Sequence, residues 1–177
     1  MAKPLPAAAG YVSRMSESGI RPEATRVEMA QIVLPTHANN HGTAFGGQIA
    51  AWCDICAAIS AQRFAAGAVV TVSMDQLHFL KPVRKGMVVV LQAQVNRAWR
   101  TSMEVGVRVE AEDIHSGVRS HCCTAYLSFV AVDSEGKPRV VQGLYTNDNP
   151  VAERRYREAQ LRRDTRLKMR ELRRNTL

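Results

Sequence analysis

Residues 34–64, which read LPTHANNHGTAFGGQIAAWCDICAAISAQRF, are the stretch that decides the fold. Pro, Asn and Gly residues crowd positions 35–47, and this composition predicts a loop. Residues 48–64 are rich in alanine and contain neither Gly nor Pro. Because their apolar side chains would cover most of a helical circumference, we predict one long, largely buried helix.

The segments on either side of this helix have the pattern of strands. Residues 26–34 alternate polar and apolar side chains, and four more strand-like segments follow the helix at residues 68–79, 87–97, 102–112 and 118–132. Turn-forming residues separate these segments at hairpin spacing. One helix against consecutive antiparallel strands predicts an α+β fold.

Composition and charge divide the chain into three parts. We predict a flexible arm over residues 1–22, a domain over residues 23–145 and a basic helical tail over residues 146–177. The net charge is +8, and residues 151–177 hold ten basic and four acidic side chains. The domain itself is therefore nearly balanced, which argues against a nucleic-acid interface across it.

The sequence also predicts a cytoplasmic protein without a membrane span. Its apolar runs are shorter than the roughly 18 residues that a membrane helix needs, and residues 1–10 lack the apolar core of a signal peptide. Cys122 and Cys123 are adjacent, while Cys53 and Cys56 fall within the predicted helix. We therefore interpret the cysteines as reduced.

Two further cysteine patterns are weak signals. Cys53 and Cys56 have the spacing of a redox pair, but such a pair belongs at a helix start, where the helix dipole lowers the thiol pKa. Inside a helix, core packing is the favoured interpretation. His115, His121 and the adjacent cysteines lack the two-plus-two spacing of a zinc site, so we expect no metal.

Two features of residues 34–64 point to a reaction site. Gly46 and Gly47 open the helix, where free backbone amides can stabilise negative charge developing on a carbonyl oxygen. Asp54 lies among apolar and small neighbours, where a carboxylate is costly unless it has a partner. Each feature also has a structural interpretation, as a helix-entry turn and as a carboxylate bonded to a neighbouring strand.

The spacing of these features favours a site shared between subunits. Asp54 lies seven residues beyond Gly47, which is about 10 Å along a helix. One helix cannot easily bring its own carboxylate to its own start. A second copy of the helix, packed antiparallel, could do so.

Several separated motifs, in order, resemble the acyl-CoA hydrolase branch of the hotdog superfamily. This branch includes the cytosolic and brown-fat-inducible acyl-CoA thioesterases and their bacterial relatives. The resemblance covers residues 27–133, and its motifs are Phe45-Gly46-Gly47-Gln48, Trp52-Cys53-Asp54 and residues 70–75, 95–99, 102–106 and 129–133. It implies the hotdog fold, in which an antiparallel sheet wraps around one long central helix.

The resemblance also implies an activity, the hydrolysis of a fatty acyl-CoA to a free fatty acid and coenzyme A. It implies that Asp54 is the general base or nucleophile, and that Asn39 and the amide of Gly47 orient the carbonyl or the attacking water. Some relatives have Asp or Asn where this chain has Thr43, and some have His where it has Phe45. Those two positions therefore contribute no second acid or base.

A wider set of residues is implied to bind the substrate. Gly46, Thr71 and Ser73 match positions that line the cleft. Residues near strand ends and a hairpin match positions that contact the nucleotide, namely Lys81, Arg97, Arg100, Thr101 and Ser102. Solvated hairpin charges are the alternative interpretation of this second group.

The implied partners are the acyl-CoA substrate and further copies of the chain. We expect homodimers, assembled as a trimer of dimers, and no cofactor beyond the coenzyme A that is part of substrate and product. Two alternatives remain open: a non-catalytic hotdog module that binds acyl-CoA, and a hotdog dehydratase. The dehydratase would need a catalytic histidine in the loop before the helix.

Overall fold

A five-stranded antiparallel sheet and one 20-residue helix form the body of the molecule in the computed structural model, which describes residues 15–16, 19–146 and 149–174. A ribbon of β1 (Met15–Ser16) and β2 (Gly19–Ile20) comes first. The helices are α1 (Gly46–Ala65) and α2 (Pro150–Arg174). The sheet strands are β3 (Val27–Ile32), β4 (Val69–Met74), β5 (Val88–Ala98), β6 (Ser102–Glu112) and β7 (Arg119–Ala131). Their spatial order is β3-β5-β6-β7-β4.

The core lies between α1 and one face of the sheet. Alternate residues of β6, such as Met103 and Val105, are fully buried because a strand turns every second side chain to the same face. On α1, Cys53, Cys56 and Phe64 are buried against that face. The curled sheet and the single long helix confirm the α+β hotdog fold that the sequence implied.

The predicted helix is confirmed, but it differs from expectation in two respects. It begins at Gly46, two residues before the predicted start, since glycines are tolerated in the first turn of a helix. It is also not buried all round. Ile55 and Ile59 are 52% and 37% exposed. The prediction that the helix is largely buried was therefore wrong for this face.

Strand β4 is shorter than the predicted segment 68–79, because it ends at Met74. The Asp75 amide still donates to Tyr126 O at 2.9 Å, and the chain then leaves the ladder. It turns toward the start of α1, where a Cβ placed on Gly46 would lie 3.4 Å from the Phe79 ring. Phe79 therefore packs at the start of the helix, whereas the Leu80 amide donates to Cys122 O of β7 at 2.8 Å.

Helix α2 lies on the face of the sheet opposite α1. Glu104 alternates with the core residues of β6 and bonds to Arg162 of α2. Ala152 and Ala159 of α2 are buried. The helix thus packs on the domain, and none of the described helices is long and apolar enough to cross a membrane.

Most of the predicted N-terminal arm, together with residues 147–148 and 175–177, lies outside the described residues. Within the described part, Ile20 donates its amide to Gly143 O and accepts from the Tyr145 amide, both at 3.0 Å. This short piece of the arm is therefore attached to the segment that leads into α2.

Candidate active site

The Asp54 carboxylate of α1 meets a hydroxyl from the edge strand β4. Thr71 Oγ1 donates to Asp54 Oδ1 at 2.8 Å. Asp54 is half-buried and Thr71 is exposed. In the part of the chain described, this is the one hydrogen bond to the carboxylate, so Oδ2 is available to a ligand or to water. The partner that a carboxylate on this helix requires is thus present, and it leaves one oxygen for chemistry.

The start of α1 presents two backbone amides at the surface. Phe45 O accepts from the amides of Gln48 and Ile49 at 2.9 and 3.2 Å. The amides of Gly46 and Gly47 have no acceptor among the described residues. Unpaired amides at a helix start attract negative charge, so this position has the geometry that an anionic oxygen requires.

Two phenyl rings flank these amides. A Cβ placed on Gly47 would lie 2.8 Å from the Phe45 ring, and Phe79 lies against Gly46. The Phe45 and Phe79 side chains are 61% and 46% exposed. Phe79 was not among the residues predicted for the site. Its apolar character and its position after a strand predicted only that it continues the strand.

Asn39 is occupied within its own loop. Its Oδ1 accepts from the amides of His41 and Thr43 at 2.9 and 3.2 Å, and its Nδ2 donates to Thr43 Oγ1 at 3.0 Å. The Gly42 amide donates to Asn39 O at 3.0 Å, and Gly42 has a positive φ of 72°. In this conformation Asn39 shapes the loop before α1 and makes no bond to Asp54.

In the described part of the chain, the residues implied to contact the nucleotide make no hydrogen bond or ion pair with Asp54. Lys81 and Arg100 are exposed. The backbone oxygens of Lys81, Arg100 and Thr101 accept from Cys122 Sγ, Val141 N and Ala131 N. Ser73 lies just after the register shift in β4.

Arg97 lies beneath α2 and is not on an open hairpin. Its Nη1 donates to Tyr156 O at 3.2 Å, and its guanidinium carbon lies 3.9 Å from the centre of the Tyr156 ring. Ser102 Oγ accepts from Arg163 of the same helix at 3.4 Å. The predicted nucleotide contacts at this hairpin are thus partly covered by α2, the helix of the predicted basic tail.

Apolar side chains are exposed on both elements that carry the Asp54–Thr71 pair. Ile55, next to Asp54 on α1, is 52% exposed, and Val70 and Val72 of β4 are 47% and 56% exposed. Among the described residues no strand pairs with the outer edge of β4. An open edge with apolar side chains is a site for association with another chain.

The cysteines of α1 are buried, and burial dominates their ionisation. Desolvation raises the pKa of Cys53 to about 12, with smaller contributions from Cys56, Cys122 and Asp54. Desolvation also raises the pKa of Cys56 to about 11. A reactive redox pair needs the opposite shift, so these thiols are core residues.

We expect the native thiols to resist modification. All four thiols are buried and closed to a reagent. At Cys53 the raised pKa adds to this, because only about one in 10⁴ molecules carries the thiolate at pH 8. Titration with a chromogenic disulfide at pH 8 should give almost no reaction in buffer, and four thiols per chain after unfolding in guanidinium. Rapid reaction of one or two native thiols would contradict this account of the core.

No group of three or more His, Cys, Asp or Glu side chains that could hold a metal ion occurs within the described ranges. His121 Nε2, one of the atoms considered for a metal, lies 2.9 Å from Thr124 Oγ1. His37 packs edge-on against Trp52, with ring centres 5.0 Å apart.

Comparisons with known proteins agree on one family. A family model described as thioesterase superfamily matches residues 41–118. The mouse protein named acyl-coenzyme A thioesterase 11 is 40% identical over 146 residues, which make up 82% of this chain and 24% of that protein. The chain therefore spans about a quarter of the length of the first curated relatives it matches.

The matches to two solved structures extend over nearly the whole of those chains. The acyl-CoA hydrolase of Staphylococcus aureus, in complex with butyryl coenzyme A, coenzyme A and coenzyme A disulfide, is 34% identical with a TM-score of 0.81. The match covers 88% of this chain and 94% of that one. A structure described as an apo-hexameric acyl-CoA thioesterase is 35% identical with a TM-score of 0.82, covering 86% and 97%.

The S. aureus hydrolase has also been solved as three alanine mutants, at an aspartate, an asparagine and a threonine. By their position numbers, the asparagine precedes the aspartate by 15 residues and the threonine follows it by 17. Asn39, Asp54 and Thr71 stand in the same order at the same spacing.

Proposed function

Because this chain belongs to the acyl-CoA hydrolase branch of the thioesterase superfamily, we propose that it hydrolyses fatty acyl-CoA to a free fatty acid and coenzyme A. The observation that carries the proposal is the 2.8 Å hydrogen bond from Thr71 to Asp54, beside a free carboxylate oxygen and close to an apolar surface. The reaction needs only water and the thioester, and no separate cofactor.

Asp54 supplies the base or the nucleophile. As a base, Oδ2 takes a proton from water as the water oxygen bonds to the carbonyl carbon. The tetrahedral intermediate then breaks its C–S bond, and the departing thiolate of coenzyme A receives the proton. As a nucleophile, the carboxylate attacks the same carbon, expels the thiolate and leaves an anhydride that water cleaves. Thr71 holds Oδ1 and so orients the carboxylate in either route.

The amides of Gly46 and Gly47 stabilise the carbonyl oxygen as it becomes negative. One such preorganised donor contributes roughly 3 kcal/mol to a transition state. The flanking rings of Phe45 and Phe79 keep water from the amides and offer an apolar wall to the acyl chain. Asn39 supports this site by holding the loop before α1 through its bonds to Thr43 and His41.

We further propose that the site is completed by a second copy of the chain. Gly47 and Asp54 lie about 10 Å apart along α1, which is too far for both to act on one carbonyl. The unpaired edge of β4 and the exposed side chains of Val70, Val72, Ile55 and Ile59 support self-association at this place. A pair of antiparallel α1 helices would bring each Asp54 to the partner's helix start, and the hexameric relative is compatible with a trimer of such dimers.

The basic and hydroxyl residues of the β5–β6 hairpin, together with Lys81, are proposed to contact the phosphates of coenzyme A. Lys81 lies toward the other end of β7, where its backbone oxygen accepts from Cys122. Arg100 and Lys81 are exposed and available, whereas Arg97 and Ser102 are engaged by α2. Arg100 therefore contributes more to coenzyme A binding than Arg97 and Ser102 do. We expect Arg100→Gln to raise KM for acyl-CoA about tenfold with little change in kcat, because it removes binding that is uniform along the reaction. Equal KM values for Arg100→Gln and wild type would exclude this contact.

Release of free coenzyme A, measured with a thiol reagent over acyl chains of different lengths, tests the function. We expect catalytic release with at least one chain length. Binding of acyl-CoA without release would favour the non-catalytic module. A dehydratase would need a catalytic histidine in the loop before α1. His37 of that loop packs against Trp52, His41 is exposed, and the position before Gly46 is Phe45. Hydration of an enoyl-CoA without thiol release would favour that reaction.

A further inference from the structure

A network of ion pairs on the sheet face opposite α1 joins α2 to β6. Glu104 is fully buried, and Arg162 Nη2 and Nε lie 2.7 and 3.1 Å from Glu104 Oε1. Asn96 Nδ2 donates to the same oxygen at 3.3 Å, and Arg166 Nη2 donates to Oε2 at 3.2 Å. A buried carboxylate must be paired, so these bonds fix the position of α2 on the sheet.

The second nitrogen of the Arg166 fork reaches beyond β6 to the end of β4. Arg166 Nη1 lies 2.7 Å from Asp75 Oδ2, and the two side chains are 24% and 21% exposed. The Asp75 amide donates to Tyr126 O at 2.9 Å. Arg162 stacks on the Tyr126 ring at 3.6 Å. Asp75 is thus held by its backbone from β7 and by its side chain from α2.

Asp75 lies midway between two residues that reach the candidate active site. Thr71, four residues earlier, bonds to Asp54. Phe79, four residues later, lies against Gly46 at the start of α1. Strand β4 has a register shift between Thr71 and Ser73, and no described strand supports its outer edge. The segment 71–79 therefore contacts both the carboxylate and the helix start, and its midpoint is held from the opposite face of the sheet.

We infer that Asp75 and Arg166 are positioning residues for the candidate site. Their ion pair holds segment 71–79 so that Thr71 meets Asp54 and Phe79 covers the start of α1. The catalytic consequence rests on the proposed function, whereas the effect on the position of β4 does not. Helix α2 thereby controls the geometry of a site that lies on the other face of the sheet.

The cleanest variant is Asp75→Asn, because it removes the charge from the β4 side and leaves Arg166 paired with Glu104. Arg166→Gln breaks the same pair from the α2 side. Arg170→Gln is the matched control, since Arg170 lies one turn further along the same helix and is exposed. All three variants and the Asp75→Asn/Arg166→Gln double variant should be studied in the full chain and in its native assembly.

Hydrogen–deuterium exchange of the β4 amides is the primary readout, and kcat and KM for an acyl-CoA are the second. We expect amide exchange in residues 69–74 to rise about tenfold in each single variant, and no further in the double variant, because both changes break the Asp75–Arg166 pair. Arg166→Gln also removes the bond to Glu104, and that loss should appear in α2 and β6. We expect kcat to fall about tenfold with a smaller change in KM, since misplacing Thr71 affects orientation more than binding. Arg170→Gln should match wild type.

Unchanged exchange in residues 69–74 with Asp75→Asn would overturn the inference, as would strictly additive effects of the two substitutions. Increased exchange in α2 and β6 with normal exchange in β4 would also overturn it, because the network would then only stabilise the helix. A wild-type chain without thioesterase activity would refute the proposed function, and the exchange measurement would still decide the role of the ion pair.

Discussion

Asp54→Asn should remove almost all turnover while the assembly remains intact. The substitution preserves size and the bond from Thr71 Oγ1 to the retained Oδ1, but it removes the negative charge and the basic oxygen. General-base catalysis is worth about 10²–10⁴-fold, so we expect kcat to fall about 10³-fold with KM almost unchanged. Steady-state release of coenzyme A measures both parameters.

Two variants make this result specific. Asp164→Asn removes an exposed carboxylate of α2 that accepts a hydrogen bond from Gln160, and it should be as active as wild type. Thr71→Val removes the hydroxyl that orients Asp54 and keeps the shape of the side chain. We expect it to lower kcat about tenfold, between the control and Asp54→Asn. Full activity of Asp54→Asn would exclude the carboxylate from the reaction.

Val72→Asp should dissociate the assembly and remove most of the activity. Val72 is 56% exposed on β4, whose outer edge has no partner among the described residues. A charge on an edge strand opposes pairing with another strand, because the carboxylate would lose water on association. We expect a monomer by light scattering, and a kcat at least about 10²-fold lower because each site loses its partner's helix start.

The matched control for this charge is Val118→Asp. Val118 is 63% exposed, but it precedes β7 at the hairpin end of β6 and lies outside every strand. We expect this variant to keep the wild-type assembly and activity. A Val72→Asp protein that remains oligomeric and fully active would place the subunit interface elsewhere.

The main elements could be predicted because their signals are local. Residues 48–64 lack helix breakers, and the period-two pattern of residues 102–112 identifies β6 with its observed bounds, Ser102–Glu112. Asp54 could be singled out because a carboxylate among Ala, Cys and Ile residues conflicts with its surroundings. The resemblance to known hydrolases implied Thr71 as a residue that lines the cleft, but not as the partner that resolves this conflict.

The role of α2 could not be predicted, because its contacts join residues far apart in the sequence. Glu104 occupies a polar position of an alternating strand, and such a pattern is the same whether the residue faces solvent or a covering helix. Arg162 and Arg166 look like solvated charges in a basic tail. In the structure both pair with Glu104, 58 and 62 positions earlier in the sequence. The same helix covers Arg97, which is therefore not an open hairpin residue.

Mixing two inactive variants tests most directly whether Asp54 of one subunit acts at the helix start of another. One variant is Asp54→Asn, and the other is Gly47→Val, whose side chain would cover the free amides at the surface. After dissociation and reassembly of equal amounts, half of the dimers are mixed and each has one intact site. A shared site predicts recovery of about a quarter of wild-type activity from two inactive proteins. A mixture that exchanges subunits and stays inactive would show that each subunit carries its own complete site, and would contradict the account.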